Sequence, residues 1–438
     1  MAHGGLHWLF AFIIGKCGEG KTAPKRFWLV AALAVNLLVL GFYKYQGFLA
    51  ENVNRALGEE FIAELNLALP IGISFFTLQA ITYVVDVYRG EVKVQKNPLY
   101  LGMYIAMFPQ LVAGPIVRYA DIEHEIDNRR ATLEGFAQGL RLFCVGLGKK
   151  VLLANTAGVL ADSLLPREAA EIGFIGCFSG VAAYTFQIYF DFSGYSDMDI
   201  GLGKMMGFEY PRNFNYPYTS KSATEFWRRW HMSLGGFFRD YVYIPLGGNR
   251  VSTPRFVLNT MIVWGLTGIW HGAAWSYLFF GMYHFVLILG GNIIAPPVRA
   301  VNARLHIRAE SFPYRLLQML RTTVLVIIGE LFFRANGLRA GMQMFRTMVT
   351  GFAFPVFDDA LFKALGIDKF DLMIVAVTLL IVFVVSVINE KGKSVRALLA
   401  QRPAAVRWTV FYALILFIIV FGAYGKGYIP VDPMYANF

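Results

Sequence analysis

Two histidines stand where their chemistry would be expensive to waste. His271 lies in Gly265-Leu-Thr-Gly-Ile-Trp270-His271-Gly272-Ala-Ala-Trp275, inside an apolar run without a single Asp, Glu, Lys or Arg from Phe256 to Val298. An ionisable side chain at membrane depth marks a functional site by default. An imidazole titrates near neutrality and can take a proton from a hydroxyl as that hydroxyl attacks. The bland alternative is a neutral histidine bonded to a neighbouring carbonyl. Glycines 265, 268 and 272 recur at spacings of three and four, which lets another helix or a ligand approach the backbone. His284 repeats the argument weakly and reads as structural.

His231 lies in Glu225-Phe-Trp-Arg-Arg-Trp-His231-Met-Ser-Leu234, within the stretch Gly201–Arg255. That stretch holds Lys204, Arg212, Lys221, Arg228, Arg229, Arg239, Arg250 and Arg255 against Glu209, Glu225 and Asp240. Ser222-Ala-Thr-Glu225 is a capping box. It predicts an amphipathic helix from Phe226 to about Phe238, with Trp227, Trp230, His231, Leu234 and Phe238 on one side and a Glu225–Arg229 pair on another. Such a helix lies at the interface or folds back into the membrane. An aromatic interfacial anchor is the plain reading, and a histidine among tryptophans sits oddly in it. A third cluster, Asp191, Asp197 and Asp199, follows the run Ile172–Phe190. Carboxylates there must pair or line a polar cavity, and ion pairs with the basic stretch are expected rather than a metal. His124, between Glu123 and Glu125, reads as a solvated loop residue.

The elements that position these groups follow from hydropathy. Of 438 residues, 56% are hydrophobic and only 16% charged, with mean hydropathy +0.50; soluble domains carry about 25% charge. This is an integral membrane protein, and a disordered, collagenous or nucleic-acid-binding chain is excluded. Phe27–Tyr43, Leu65–Val85, Asn97–Val117, Ile172–Phe190, Leu372–Asn389 and Trp408–Gly425 are charge-free runs, each long enough to span. Phe256–Val298 reads as two spans turning near Ser276. With the weaker candidates Gly4–Ile14, Gly135–Ala161 and Leu316–Phe333, the expectation is an all-α polytopic fold of roughly ten or eleven helices. Residues 1–438 read as one membrane domain, with 204–255 as its amphipathic or re-entrant segment. The net charge of +11 suits cytoplasmic loops rich in Lys and Arg. Lys16–Arg26, Arg89–Lys96, Arg299–Arg315 and Lys391–Arg407 are expected inside, and Glu51–Glu64 and Asp358–Asp371 outside. The three scattered cysteines (17, 144 and 177) build neither a disulfide framework nor a zinc site. Gly15–Thr22 fits a phosphate-binding loop, but with Pro24 following and no α/β region beside it the segment reads as a basic loop.

Tyr189-Phe-Asp-Phe-Ser-Gly-Tyr-Ser-Asp197-Met, Asn213-Phe-Asn-Tyr-Pro-Tyr218, the Glu225–Leu234 block, Arg239-Asp-Tyr-Val-Tyr-Ile244, Leu246-Gly-Gly-Asn-Arg250 and Trp270-His271-Gly272 occur in that order. Together they resemble the membrane-bound O-acyltransferase family, in particular its bacterial alginate O-acetylation branch. Leu69–Phe75, Val84–Gly90, Ala113–Tyr119 and the ending Pro433–Phe438 fit the same branch. Members usually begin with about two further helices. The start at His3–Ile14 therefore leaves open a shorter variant or a misplaced initiator methionine, and puts integration of the N-terminus in question.

The resemblance implies helices around a tunnel in a bacterial inner membrane. It implies acyl transfer, expected to be acetyl, from a cytoplasmic thioester such as acetyl-CoA. The acceptor would be hydroxyls of an extracytoplasmic polysaccharide, reached directly or through a periplasmic partner. The thioester is a substrate, and no bound cofactor or metal is expected. His271 is implied as the catalytic base. His231 would orient the thioester, shuttle a proton or stabilise the oxyanion. Arg228, Arg229, Arg239 and Arg250 would attract the donor's phosphates, with ordinary positive-inside charge as the alternative. A different acceptor (lipid, protein or teichoic acid) remains an alternative. So does a transporter, which accounts for Asp191, Asp197 and His271 but not for the Glu225–His231 block beside Trp-His-Gly. One tension stands: a straight helix from Arg255 carries His271 about 24 Å inward, away from a His231 left at the cytoplasmic surface.

Overall fold

The computed structural model describes residues 2–17, 22–65, 67–165, 169–351 and 369–422. Gly18 to Lys21 of the phosphate-loop pattern, most of Asp358–Asp371 and the ending Pro433–Phe438 lie outside the described residues. The described residues fold as helices without strands. In order they are α1 (Ala2–Lys16), α2 (Thr22–Leu57), α3 (Ile73–Arg89), α4 (Pro98–Ile105), α5 (Phe108–Leu111), α6 (Tyr119–Asn128), α7 (Leu133–Gly148) and α8 (Asn155–Leu164). Then follow α9 (Ala169–Met205), α10 (Ala223–Arg229), α11 (Met232–Phe237), α12 (Thr253–His271), α13 (Trp275–Arg304) and α14 (Phe312–Arg334). Last come α15 (Leu338–Thr350), α16 (Lys369–Glu390), α17 (Val395–Ala400) and α18 (Ala404–Phe421). Single π turns, Lys149–Ala154 and Phe238–Tyr243, join α7 to α8 and extend α11.

Six stretches among the described residues are long and apolar enough to cross a membrane: Thr22–Leu57, Leu133–Leu164, Gly173–Met205, Trp275–Arg304, Phe312–Arg334 and Ala404–Phe421. The chain is a multi-pass membrane protein. Large apolar side chains such as Leu38, Phe383 and Val420 remain exposed, as expected where lipid rather than water is the solvent. The run Asn97–Val117 does not form one span. Pro98 opens α4 with Asn97 as its cap, α4 stops at Ile105, Pro109 sits in the one-turn α5 that stops at Leu111, and Gly114 (φ 108°) lies in the non-helical chain beyond; Pro109 has no N–H with which α5 could continue the ladder of α4. The long run Phe256–Val298 does divide in two, turning at residues 272–274.

Glycine sets how close two of these helices come. α7 and α9 run antiparallel with Gly139 against Gly201 and Gly146 against Gly194. A Cβ at any of the four would overlap a backbone carbonyl oxygen of the facing helix. Along each helix the two glycines are seven residues apart, about two turns, so both contacts fall on one face. The same seam brings the π turn after α7 onto α9. There Lys150 Nζ meets Asp191 Oδ1 at 2.7 Å and Lys149 Nζ meets Asp197 Oδ2 at 2.7 Å. These carboxylates are therefore paired with the π turn rather than with the Gly201–Arg255 stretch.

Candidate active site

The expected helix from Phe226 to Phe238 is broken in the middle. Ser222 caps α10 by accepting from the Glu225 amide at 3.2 Å, and Glu225 pairs with Arg229 at 2.7 Å as anticipated. α10 then stops. Trp230 is extended and His231 is left-handed, φ 43° and ψ 56°. A non-glycine residue there costs about 1–3 kcal/mol and persists only when its surroundings over-determine it. They do so here through the extended segment before α10. The Asn215 amide donates to the Arg229 carbonyl and the Met232 amide to the Asn213 carbonyl, both at 2.8 Å. Trp230 is locked by its stack on Phe226 (5.5 Å between centroids) and by edge contacts with Phe214 and Tyr218. Local propensity for one helix loses to these tertiary bonds.

The break turns the His231 ring into the protein, where it is 2% exposed. Phe192 meets it edge-on at 4.7 Å, and Phe75 and Trp270 flank it at 6.4 and 5.9 Å. Its Nδ1 lies 3.1 Å from Asn213 Oδ1. That same oxygen accepts from the Ser233 amide at 3.2 Å and the Ser233 hydroxyl at 2.9 Å, while Asn213 Nδ2 donates to Ser196 Oγ at 3.1 Å. The Ile116 amide donates to Ser233 Oγ at 2.9 Å. Four motifs distant in sequence (Ala113–Tyr119, Tyr189–Asp199, Asn213–Tyr218 and Glu225–Leu234) thus meet around one imidazole.

His271 ends α12, with 3% exposure. Its ring meets Phe333 at 5.1 Å and Phe280 at 6.0 Å, both edge-on. Gly272 follows because a Cβ there would overlap the Tyr277 ring. Gly268 and Gly281 similarly admit the backbones of α13 and α12. The helix's last carbonyls are held from α2, where Lys44 Nζ donates to Trp270 O at 2.6 Å and to Ser74 Oγ at 3.0 Å, and Tyr45 donates its hydroxyl to Ile269 O at 2.5 Å. A cation at a helix C-terminus answers both its unsatisfied carbonyls and its dipole. Both histidine rings meet that of Trp270, His231 at 5.9 Å and His271 at 4.9 Å between centroids. The tension over the distance from Arg255 dissolves, because both histidine rings lie against the one Trp270 ring.

The other expected groups are dispersed. His284 Nδ1 accepts from Trp227 Nε1 at 3.1 Å, a structural bond. His124 is exposed, on α6 rather than in a loop. Arg229 is engaged by Glu225 and by Thr219 Oγ1 at 3.0 Å, while Arg228 and Arg250 are exposed. Arg239 grips Asp240 through Nε at 2.6 Å and Nη2 at 2.8 Å, holding that carboxyl below the usual carboxylate range. Beside them opens a cavity of about 520 Å³ lined by Arg89, Glu91, Arg118, Asp240, Ile244 and Pro245. Among the described residues, no three of His, Cys, Asp and Glu converge as metal ligands would. Sequence reasoning assigned no role to Asn213, Ser233, Lys44, Arg89 or Arg118. For Asn213 and Ser233 a signal existed, since both stand inside motifs that carry the resemblance. For Lys44 the signal was a lysine directly after a charge-free run.

Residues 88–312, which contain both histidines, match the sequence profile described as MBOAT, membrane-bound O-acyltransferase family. The chain is 40% identical over 338 residues to the Pseudomonas aeruginosa protein named "Probable alginate O-acetylase", covering 76% of this chain and 62% of that one. It is 34% identical over 355 residues to the peptidoglycan O-acetyltransferase of Helicobacter pylori (75% and 66%). It is 29% identical over 293 residues to the teichoic acid D-alanyltransferase of Bacillus subtilis (64% and 72%). The first alignment therefore spans less than two thirds of its relative's length.

Proposed function

Because the chain belongs to the membrane-bound O-acyltransferase family, we propose that it transfers acetyl from a cytoplasmic thioester, acetyl-CoA, to hydroxyls of an extracytoplasmic polysaccharide of the alginate kind. Transfer is direct or by way of a periplasmic partner, in the bacterial inner membrane. The observation that carries this reading is the meeting of His231 and His271 around Trp270 in the protein's core. In the reaction a hydroxyl oxygen attacks the thioester carbonyl carbon while His271 takes the hydroxyl proton. The tetrahedral intermediate collapses, the carbon–sulfur bond breaks, and the thiolate leaves to be protonated. The 204–255 segment re-enters the membrane and carries His231 to that depth. Donor enters from the side of the basic loops and acceptor from the other.

A vesicle experiment tests reaction and orientation together. Inside-out membrane vesicles given radiolabelled acetyl-CoA externally should fix label in alkali-labile O-acetyl groups, and right-side-out vesicles should not. Label fixed only by right-side-out vesicles would reverse the orientation. No label above that of vesicles lacking the protein would end the acetyl-transfer reading.

Charge at the mouth supports the donor's side. Arg89 and Arg118 line the cavity with Glu91 and Asp240, Arg239 pairs with that Asp240, and Arg228 and Arg250 lie exposed. In this reading they meet the donor's phosphates. Arg228→Ala and Arg239→Ala should each raise KM for acetyl-CoA about tenfold, the loss of one charge-assisted hydrogen bond, with little change in kcat, the mark of lost ground-state binding. Unchanged KM in both variants would return these arginines to ordinary positive-inside charge.

A further inference from the structure

Which way the His231 ring carries its proton can be read from its neighbours. Asn213 Oδ1 faces the Ser233 backbone N–H at 3.2 Å, a donor that cannot reverse its role. The atom opposite that N–H is therefore the amide oxygen, and Asn213 Nδ2 points the other way, to Ser196 Oγ at 3.1 Å. An amide oxygen only accepts. His231 Nδ1 lies 3.1 Å from it and 3.4 Å from Ser233 Oγ, whose one proton goes to the same amide oxygen at 2.9 Å, so Nδ1 is the protonated ring nitrogen. In a neutral imidazole the second nitrogen, Nε2, carries the lone pair. Nε2 is fully buried and has no hydrogen-bond partner among the described residues. Leaving a buried acceptor unmade is unfavourable, and so is the left-handed backbone that aims it, φ 43° at this residue.

From this we propose that Asn213 is a positioning residue that fixes His231 in the Nδ1-protonated tautomer, so that Nε2 meets the substrate as a hydrogen-bond acceptor. A thioester carbonyl or an oxyanion offers only lone pairs and cannot pair with it. A hydroxyl, or an imidazolium formed at His271, can. His231 is thereby a proton acceptor in the transfer: His271 takes the hydroxyl proton, Nε2 receives it from the protonated His271, making a cation whose Nδ1–H still rests on Asn213, and the proton ends on the leaving thiolate. Of the three roles open to His231 on sequence grounds, oxyanion stabilisation by the neutral ring is removed. This inference rests on the acetyl-transfer reading for what the proton belongs to, but the tautomer itself does not.

The test separates the two. Nitrogen-15 spectra of histidine-labelled protein in detergent, with His231 assigned by its loss in His231→Gln, should show a protonated Nδ1 and a bare Nε2. Asn213→Asp, which still accepts from Nδ1–H, should keep that pattern and retain kcat within about threefold. Asn213→Leu, of similar size but unable to accept, should lose the pattern and lower kcat by at least about tenfold at nearly constant KM for acetyl-CoA. A wild-type spectrum with the proton on Nε2 overturns the proposal, and it decides the matter even if Asn213→Leu fails to accumulate. So does an Asn213→Leu variant with wild-type tautomer and rate. Wild-type protein with the expected tautomer but no transferase activity would instead count against the acetyl-transfer reading alone.

Discussion

His271→Gln should accumulate in the membrane at the wild-type level and transfer acetyl about 10²- to 10⁴-fold more slowly, the range that general-base assistance supplies. Glutamine keeps most of the volume packed against Phe333 and Phe280, and its amide can still hydrogen-bond, but it has no nitrogen able to hold an added proton. Only the base is removed. The loss should fall on kcat and kcat/KM alike, because the interaction exists only in the transition state. The measurement is acetyl transfer from acetyl-CoA to an oligosaccharide or a periplasmic acceptor, by purified proteins at matched amounts. Activity within about threefold of wild type, far above the loss expected for a missing base, would sink the assignment of His271.

Lys150→Met should destabilise the protein by about 3–5 kcal/mol, the usual result of stranding one charge of a buried pair. Lys150 and Asp191 are 16% and 4% exposed at their side chains and 2.7 Å apart. The variant should show a lower unfolding midpoint in detergent and reduced yield. Lys150→Met combined with Asp191→Leu should recover most of the loss, because an apolar pair of similar volume needs no desolvation. The comparison also bears on the transporter alternative. A carboxylate kept to bind a moving ion or sugar would tolerate Lys150→Met without a folding cost. A double variant no more stable than the single one would show that the ion pair is not what holds this seam.

The fold class was legible because it depends on sums over contiguous residues. Charge-free runs of span length around Phe27–Tyr43, Ile172–Phe190 and Trp408–Gly425 need no knowledge of partners, and each lies in or overlaps a long apolar helix. Asn97–Val117 misled for a local reason. Hydropathy does not register that Pro98 starts a new helix inside the run and that Pro109 lacks the N–H to carry its ladder on. The α7–α9 seam was readable in principle from glycines seven apart, but nothing in the sequence states that residues 139 and 201 face each other.

By itself the sequence determined that this chain is a helical membrane protein, that His231 and His271 are its chemically suggestive residues, and that its motifs resemble those of acyltransferases. These follow from hydropathy, residue type and order along the chain. Only the tertiary structure decided that the helix through His231 breaks, that Asn213 and Ser233 hold the imidazole, that Lys44 caps the helix ending at His271, and that Lys149 and Lys150 neutralise Asp197 and Asp191. The reason is physical. Each of these joins residues tens to hundreds of positions apart and wins against local propensity: two backbone hydrogen bonds from residues 213 and 215 outweigh the tendency of Phe226–Phe238 to continue as one helix.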